Sequence, residues 1–323
     1  MNLTPDERLV DALTTLIYQY PPMVREMINL STGEEERRLR LSLFEAFSYF
    51  NEKDLTIDQI TAAQLPELLA LAAHLNPPSF QPNLTPGEFA SQKAYSYVAN
   101  YLMNRFVRSL STVGNPPQVI EELTTDAGDV MLAQIQRLQF NYNQQFKVAD
   151  YLADVKARWG LLGAMTAKQS AVLSGTEKEI VSLAGQIGQA FGTAGYITHE
   201  FQQLSNDPDS FVKMITSGQY PLALLFARQQ DPQWFSNFFS SDHRPSQAMF
   251  NQAYELSLKQ LDEVKQLTAD IFSQLILDIK VLPAGQTQDE LFRLVEKLKK
   301  NNLKLKMEIK EELSSSPFFQ CII

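Results

Sequence analysis

The sequence has few of the residues that form disulfides and transition-metal sites. Its 323 residues include one cysteine, Cys321, and three histidines, His74, His199 and His243. A single cysteine excludes an intramolecular disulfide, which favours a reducing, cytoplasmic location. Because the histidines are far apart in sequence and have no second histidine or cysteine at ligand spacing, no zinc site is predicted.

Long apolar runs, an excess of basic residues and the glycine motifs of nucleotide-binding proteins are missing as well. No stretch approaches the roughly 20 apolar residues that span a membrane, so no transmembrane segment is expected, and the acidic N-terminus does not resemble a signal peptide. The net charge of −9 argues against nucleic-acid binding, which usually requires a basic excess. Neither GxxxxGK[ST] nor a GxGxxG after a strand is present, so a nucleotide site has no support.

Clustered carboxylates, which magnesium-dependent diphosphate chemistry usually needs, are also scarce. The sequence contains no Asp-Asp dipeptide. The acidic residues that do occur at helical spacing are interpreted as solvated helix faces. They are Glu121 and Glu122 with Asp126 and Asp129, and Asp150 with Asp154. The residues themselves therefore predict no metal site.

Apolar residues recur at helical spacing over nearly the whole chain, which predicts an all-α fold in one domain over residues 1–323. The proline-rich residues 76–87 are predicted to be a loop, and residues 232–245 another connection. The predicted helices cover residues 5–29 with a break at Pro21-Pro22, 34–52, from Asp58 or Thr61 to about 75, 88–110, 118–143, 147–175, 177–204, 221–230, 246–281 and 288–300.

Two local patterns predict more specific features. Thr176 and Glu179 predict a capping box at the start of helix 177–204. The glycine and alanine content of that helix favours close helix packing over space for a ligand. Residues 303–310 alternate as a strand does, but no partner strand is visible, so we favour a helix.

Arg37 and Arg40 stand near the start of a predicted helix, directly after Glu34-Glu35-Glu36. Their spacing of three residues places them on one helix face. Arginine at a helix start opposes the helix dipole, so its presence there needs a reason. Ion pairing with the three glutamates is one explanation, which we favour because surface pairs are common. The alternative is a phosphate clamp, for which a planar guanidinium is well suited.

Five short segments occur in an order typical of one enzyme family. Arg37-Arg38-Leu39-Arg40 matches GKRLRP, Leu138-Gln139 matches the GQ of a central helix, residues 151–162 match YLxxIxxKTGxL, residues 184–191 match FGxxLGLAFQ, and residues 218–227 match GKxTLPLLxA. Over about residues 34–230 the chain thus resembles the trans-isoprenyl (polyprenyl) diphosphate synthases. Residues 246–323 would add C-terminal helices.

The resemblance implies a single large helical bundle of the isoprenoid synthase type around a central cavity. It implies that Arg37 and Arg40 hold isopentenyl diphosphate and that Arg158, at the position of the family's lysine, faces the allylic diphosphate. Gln139 and Gln219, in two of the matching segments, are the remaining candidate diphosphate-binding residues.

The chain departs from the family at both aspartate-rich motifs. The family's two DDxxD motifs fall on residues 77–81 and 195–199, where no carboxylate occurs. The degenerate positions are Pro77, Pro78, Gln81, Gly195, Tyr196 and His199. The resemblance implies Mg²⁺ as a cofactor, but its ligands are missing. A divergent branch, the competence-pheromone prenyltransferases, degrades the second motif but keeps the first.

Loss of both motifs beside retained arginines predicts a protein of isoprenoid metabolism that no longer elongates chains. It would bind an isoprenoid diphosphate, or act as a regulatory or partner subunit, as a homodimer or beside an active synthase. One alternative is an active divergent prenyltransferase, for example a peptide-modifying enzyme, that uses carboxylates from elsewhere. Candidates are Asp207, Asp209, Glu121 and Asp126. Another alternative is an unrelated helical interaction protein.

Overall fold

The structure is a computed structural model that describes residues 5–51, 54–76, 84–240 and 245–315. Within these ranges we number sixteen α-helices and find one π-helical turn, Lys156–Gly160. The α-helices α1 to α16 are, in order, Pro5–Tyr18, Pro22–Arg25, Glu34–Ser48, Ile57–Ala63, Leu65–Leu75, Pro86–Leu110, Pro117–Phe140, Val148–Val155, Leu161–Leu173, Lys178–Asn206, Pro208–Thr216, Leu222–Gln230, Pro232–Phe238, Gln247–Leu258, Leu261–Val281 and Gln286–Ser315.

The prediction of an all-α fold is confirmed, since the described ranges contain no β-strand. The alternating residues 303–310 lie within α16, so the helix that we favoured there is correct. The predicted helix 246–281 is instead two helices, α14 and α15, which meet at Lys259-Gln260. No glycine or proline marks that break, so it could not be predicted from local sequence.

Three other local predictions are wrong. The connection 232–245 contains α13, whose start is capped by the Asp231 side chain accepting from the Trp234 amide. Helix α4 is capped by Thr56, in a capping box with Gln59, rather than by Asp58 or Thr61. Thr176 does not cap α10, whose N-cap residue is Glu177; its hydroxyl donates to the Ala171 carbonyl of α9 at 2.9 Å instead.

Helices α9 and α10 form the centre of the bundle and approach each other backbone to backbone. A Cβ added at Gly188 of α10 would lie 2.3 Å from the Gly163 carbonyl oxygen of α9. A Cβ at Gly192 would lie 2.4 Å from the carbonyl oxygen of Trp159 in the π-helical turn. The packing interpretation of the small residues in α10 is therefore confirmed, and this contact sets the position of the π-helical turn.

The core consists of two clusters of buried apolar side chains. The larger has members from α1, from α3 to α15 and from the π-helical turn, and the smaller joins other residues of α3, α9, α10 and α15 to α16. In the part of the chain that the structure describes, no helix is long and apolar enough to cross a membrane.

Candidate functional site

A cavity of about 490 Å³ lies where the centre of the bundle meets α3, α5 and α7. The loop before α3 and the last turn of α5 contribute one part of its wall, and α7, α8 and the π-helical turn contribute another. The rest of the wall comes from α10, α11 and Gln219. Segments that are spread over residues 31–219 thus place polar side chains around one space.

Arg158 lines this cavity from the π-helical turn and is only 6% exposed. Its Nε donates to Asp154 Oδ1 at 2.8 Å, and its Nη2 donates to Asp154 Oδ2. Burial lowers the pKa of Arg158, but the hydrogen bonds to Asp154 outweigh this and raise it, so the guanidinium stays charged. Asp154 is buried, which corrects its assignment to a solvated face. Single π-helical turns occur frequently at functional sites.

Arg137 of α7 lies on the other side of the same carboxylate. Its Nε is 3.7 Å from Asp154 Oδ2, its side chain is buried, and it lines the cavity. The Arg137 guanidinium packs over the Phe146 ring at 5.0 Å, while its Nη1 is buried without a hydrogen-bond partner. Asp154 therefore bridges two buried arginines at one end of the wall.

An aromatic wall stands beside Arg158. The rings of Trp159 and Tyr196 stack with centroids 5.2 Å apart, and His74 packs on Trp159 at 5.0 Å. The Arg158 guanidinium lies 5.8 Å from the Trp159 ring and 6.0 Å from the Tyr196 ring, within reach of cation–π attraction. The Trp159 Nε1 donor is buried and has no hydrogen-bond partner.

Two of the three degenerate positions of the second motif line the cavity, and the third does not. Tyr196 and His199 line the cavity, and His199 Nε2 is 3.8 Å from Glu36 Oε2. Gly195 faces α3 instead, where an added Cβ would lie 2.3 Å from Leu39 Cδ2. The first-motif positions Pro77, Pro78 and Gln81 lie outside the described residues.

The arginines of α3 do not line the cavity, because a glutamate from α5 holds them in the interior. Arg40 donates to both oxygens of the buried Glu67, at 2.6 and 2.8 Å, and Arg37 Nε is 3.8 Å from the same carboxylate. Arg37 also donates to the Thr32 carbonyl at 2.9 Å. The favoured explanation, surface pairing with the three preceding glutamates, is therefore wrong for both arginines, since their partner is a buried glutamate 27 residues away from Arg40.

Of the two candidate glutamines, one lines the cavity and the other does not. Gln219 lines the cavity, whereas Gln139 is exposed near the end of α7 and is not part of the wall. The side chains of α7 that do reach the cavity are Gln134 and Arg137. The sequence analysis missed both, although an arginine in register with the apolar residues Val130 and Ala133 was a usable signal.

Burial shifts the pKa of two further titratable groups in the wall. Glu200 Oε1 accepts from the Tyr151 hydroxyl at 2.8 Å and from the Leu222 amide at 3.1 Å, and burial raises the pKa of Glu200. Burial, with Arg40 and Arg37 nearby, lowers the pKa of His74 to about 4, so its imidazole is neutral at pH 7. His74 therefore adds no positive charge to the cavity at pH 7.

The donor set does not suit Mg²⁺, the ion that the resemblance implies. Mg²⁺ prefers carboxylate oxygens in octahedral geometry, and the second motif supplies a glycine, a tyrosine and a histidine. Among the described side chains, no group of three or more His, Cys, Asp or Glu residues could hold a metal ion. The carboxylates in the wall, Glu36 and Glu200, face His199 and Tyr151 respectively.

Comparison with known proteins identifies the family. The polyprenyl synthetase family model matches residues 91–274, more than half of the chain. The chain belongs to the polyprenyl synthetase family. The alternative of an unrelated helical interaction protein is therefore wrong. No curated protein matches the sequence.

Solved structures with this fold are similar over nearly their whole length. A geranylgeranyl pyrophosphate synthase from Lactobacillus brevis is 20% identical, with a TM-score of 0.77 over 90% of this chain and 95% of that one. A heptaprenyl diphosphate synthase from Staphylococcus aureus is 18% identical, with a TM-score of 0.76 over 94% and 100% of the two chains. A decaprenyl diphosphate synthase from Rhodobacter capsulatus is 16% identical, with a TM-score of 0.70 over 91% and 98%. These matches confirm the isoprenoid synthase fold.

Proposed function

We propose that this polyprenyl synthetase family member binds a prenyl diphosphate in the arginine-lined cavity and does not elongate it. The observation that carries the proposal is Arg158, which is charged and buried in the wall of a 490 Å³ cavity where Tyr196 and His199 replace carboxylates. A guanidinium in an enclosed site is well suited to a phosphate group. Gln219, in the same wall, adds an amide that can hydrogen-bond to it.

Elongation requires the diphosphate to leave, and its departure needs strong electrostatic stabilisation. Such stabilisation is usually the largest single contribution to catalysis. The loss of even ~4 kcal/mol of it slows a reaction by about three orders of magnitude. Since the described part of the chain places no carboxylate cluster in the wall, we expect binding to be retained and the chemical step to be lost.

The alternative of an active enzyme with relocated carboxylates receives no support from the cavity. None of its four candidates lines the wall. Asp126 pairs with Lys168 at 3.2 Å, and Asp207 accepts from the Ser210 amide at the start of α11. Glu121 is exposed on α7. Their positions favour helix capping and surface pairing over metal binding.

The binding proposal is tested by titrating the protein with farnesyl diphosphate in Mg²⁺-containing buffer, using isothermal titration calorimetry. We expect saturable binding of one ligand per chain. Arg158→Met should weaken it about tenfold or more, because hydrogen bonds to a charged group are lost in a desolvated site. Arg293→Met, which removes an exposed arginine of α16, is the matched control and should leave Kd unchanged. Absence of binding to the folded wild-type protein would reject the proposal.

We also propose that the protein associates with a chain of the same fold, namely a second copy. Three large apolar side chains, Leu132, Ile135 and Leu138, are exposed along the last three turns of α7. Contiguous exposed apolar residues mark interaction surfaces more often than isolated ones do. Such a dimer fits both roles expected of the protein. The protein would bind its ligand as a homodimer, or the same surface would pair with an active synthase.

Light scattering coupled to size-exclusion chromatography measures this association. The wild-type chain is expected to elute as a dimer, and Ile135→Lys is expected to shift it to the monomer, because a buried unpaired charge is costly at an interface. Leu277→Lys places the same charge at an exposed apolar position on α15 and should leave the dimer intact. A monomeric wild-type protein would contradict the proposal.

A further inference from the structure

Arg137 has a hydrogen-bonding group that the protein itself does not use. The side chain is 5% exposed, lines the cavity, and has its Nη1 buried without a partner. A buried, charged N–H without an acceptor is costly, more so than a neutral one. Trp159 Nε1, in the same wall, is a second buried donor without a partner. Two such donors in one cavity wall indicate that a ligand supplies the acceptor.

The charges around Arg137 favour an anionic acceptor. Asp154 is the only carboxylate that contacts Arg137 or Arg158 among the ion pairs of the described residues, so the three groups together have one excess positive charge. Glu200, in the same wall, makes its hydrogen bonds to the Tyr151 hydroxyl and the Leu222 amide, and to neither arginine. Glu36, the other carboxylate of the wall, lies 3.8 Å from His199 Nε2.

The orientation of both guanidinium groups is fixed before any ligand arrives. Arg158 is held by two hydrogen bonds to Asp154 and by the stacked Trp159 and Tyr196 rings. Arg137 is held by Asp154 and by the Phe146 ring. Because both side chains are already ordered in the folded protein, binding a phosphate causes a smaller loss of side-chain entropy. Tyr196 thus has a part in the site although it replaces a carboxylate.

We infer that Arg137 and Arg158, bridged by Asp154, hold the phosphate groups of the ligand directly and make its binding independent of divalent metal. This inference rests on the proposed function, because it concerns how the same cavity holds the same prenyl diphosphate. It follows from the mismatch between the donor set and Mg²⁺: the wall has Tyr196 and His199 at the second motif, and the cationic groups that remain beside them are guanidinium groups. The arginines then neutralise the phosphate charge that a metal would otherwise neutralise.

The test compares the affinity for farnesyl diphosphate in EDTA with that in Mg²⁺, using the full-length protein. We expect the two Kd values to agree within about threefold. Arg137→Met in EDTA should weaken binding about tenfold or more, since it removes a charge-assisted hydrogen bond. Arg137→Lys retains the charge and should therefore weaken binding less than Arg137→Met does. A purely structural role would not predict this difference in affinity. Arg293→Met is again the control, and circular dichroism checks that each variant folds.

The outcomes separate this inference from the proposed function. Binding in Mg²⁺ that is lost in EDTA would overturn metal independence while leaving the proposed function intact. Metal-independent binding that Arg137→Met and Arg137→Lys both leave unchanged would overturn the role of Arg137. No binding under either condition would overturn both proposals. If Arg137→Met does not fold, Arg137→Lys and the comparison of EDTA with Mg²⁺ remain decisive.

Discussion

Gly188→Ala is expected to lower the free energy of unfolding by at least about 3 kcal/mol, at the severe end for overpacking substitutions. An added Cβ would lie 2.3 Å from the Gly163 carbonyl oxygen and 2.7 Å from its carbonyl carbon. Both are backbone atoms of α9, so the two central helices would have to move apart. Urea denaturation followed by circular dichroism measures the change.

Gly185→Ala, on the same helix, is the matched control. A Cβ there would lie 2.8 Å from Lys168 Cε, the far part of a flexible side chain that can move away. Since alanine also has a higher helix propensity than glycine, we expect a change of less than about 1 kcal/mol in either direction. Equal effects of the two substitutions would contradict the account of helix packing. The same comparison bears on the site, because the α9–α10 contact positions the π-helical turn.

Glu67→Gln is expected to destabilise the protein by about 3–5 kcal/mol, the usual cost of breaking a buried ion pair by removing one partner. Glu67 is 1% exposed, and its carboxylate is the ion-pair partner of both Arg40 and Arg37. The neutral amide would leave two buried guanidinium groups without the carboxylate that they contact. The midpoint of urea denaturation would report the loss.

Glu34→Gln tests whether the loss of stability depends on the burial of the ion pair. Glu34 pairs with Arg38 at 2.7 Å, but both side chains are about half exposed, so we expect a loss of no more than about 1 kcal/mol. A small effect of Glu67→Gln, similar to that of Glu34→Gln, would show that Arg37 and Arg40 do not depend on Glu67. In that case, the assignment of these arginines to structure rather than to ligand binding would be in doubt.

Much of the fold could be predicted from the sequence because helical periodicity is local. The bundle and the small-residue contact of α10 both follow from spacing or composition within one segment. Most of the predicted loop 76–87 lies outside the described residues, and its last two residues begin α6. The break at Lys259-Gln260 could not be predicted, because no residue there disfavours a helix. The start of α13 could have been predicted from Asp231-Pro232, a common helix-start pair.

The site was less predictable because it depends on which distant side chains meet. Sequence matching placed a diphosphate-binding role on Arg158, which does line the cavity. The same matching favoured Gln139, whereas the helix face that reaches the cavity has Gln134 and Arg137. The Glu67 partner of Arg40 and the Asp154 bridge between two arginines depend on tertiary packing. No periodicity within one segment contains that information.

The central claim is that the cavity binds a prenyl diphosphate but cannot elongate it. The most direct measurement incubates the pure protein with Mg²⁺, radiolabelled isopentenyl diphosphate and, in turn, each common allylic diphosphate, followed by separation of the products. The account predicts no longer prenyl diphosphate above the level found with heat-inactivated protein. Steady formation of a longer product, at a rate proportional to protein concentration, would contradict it.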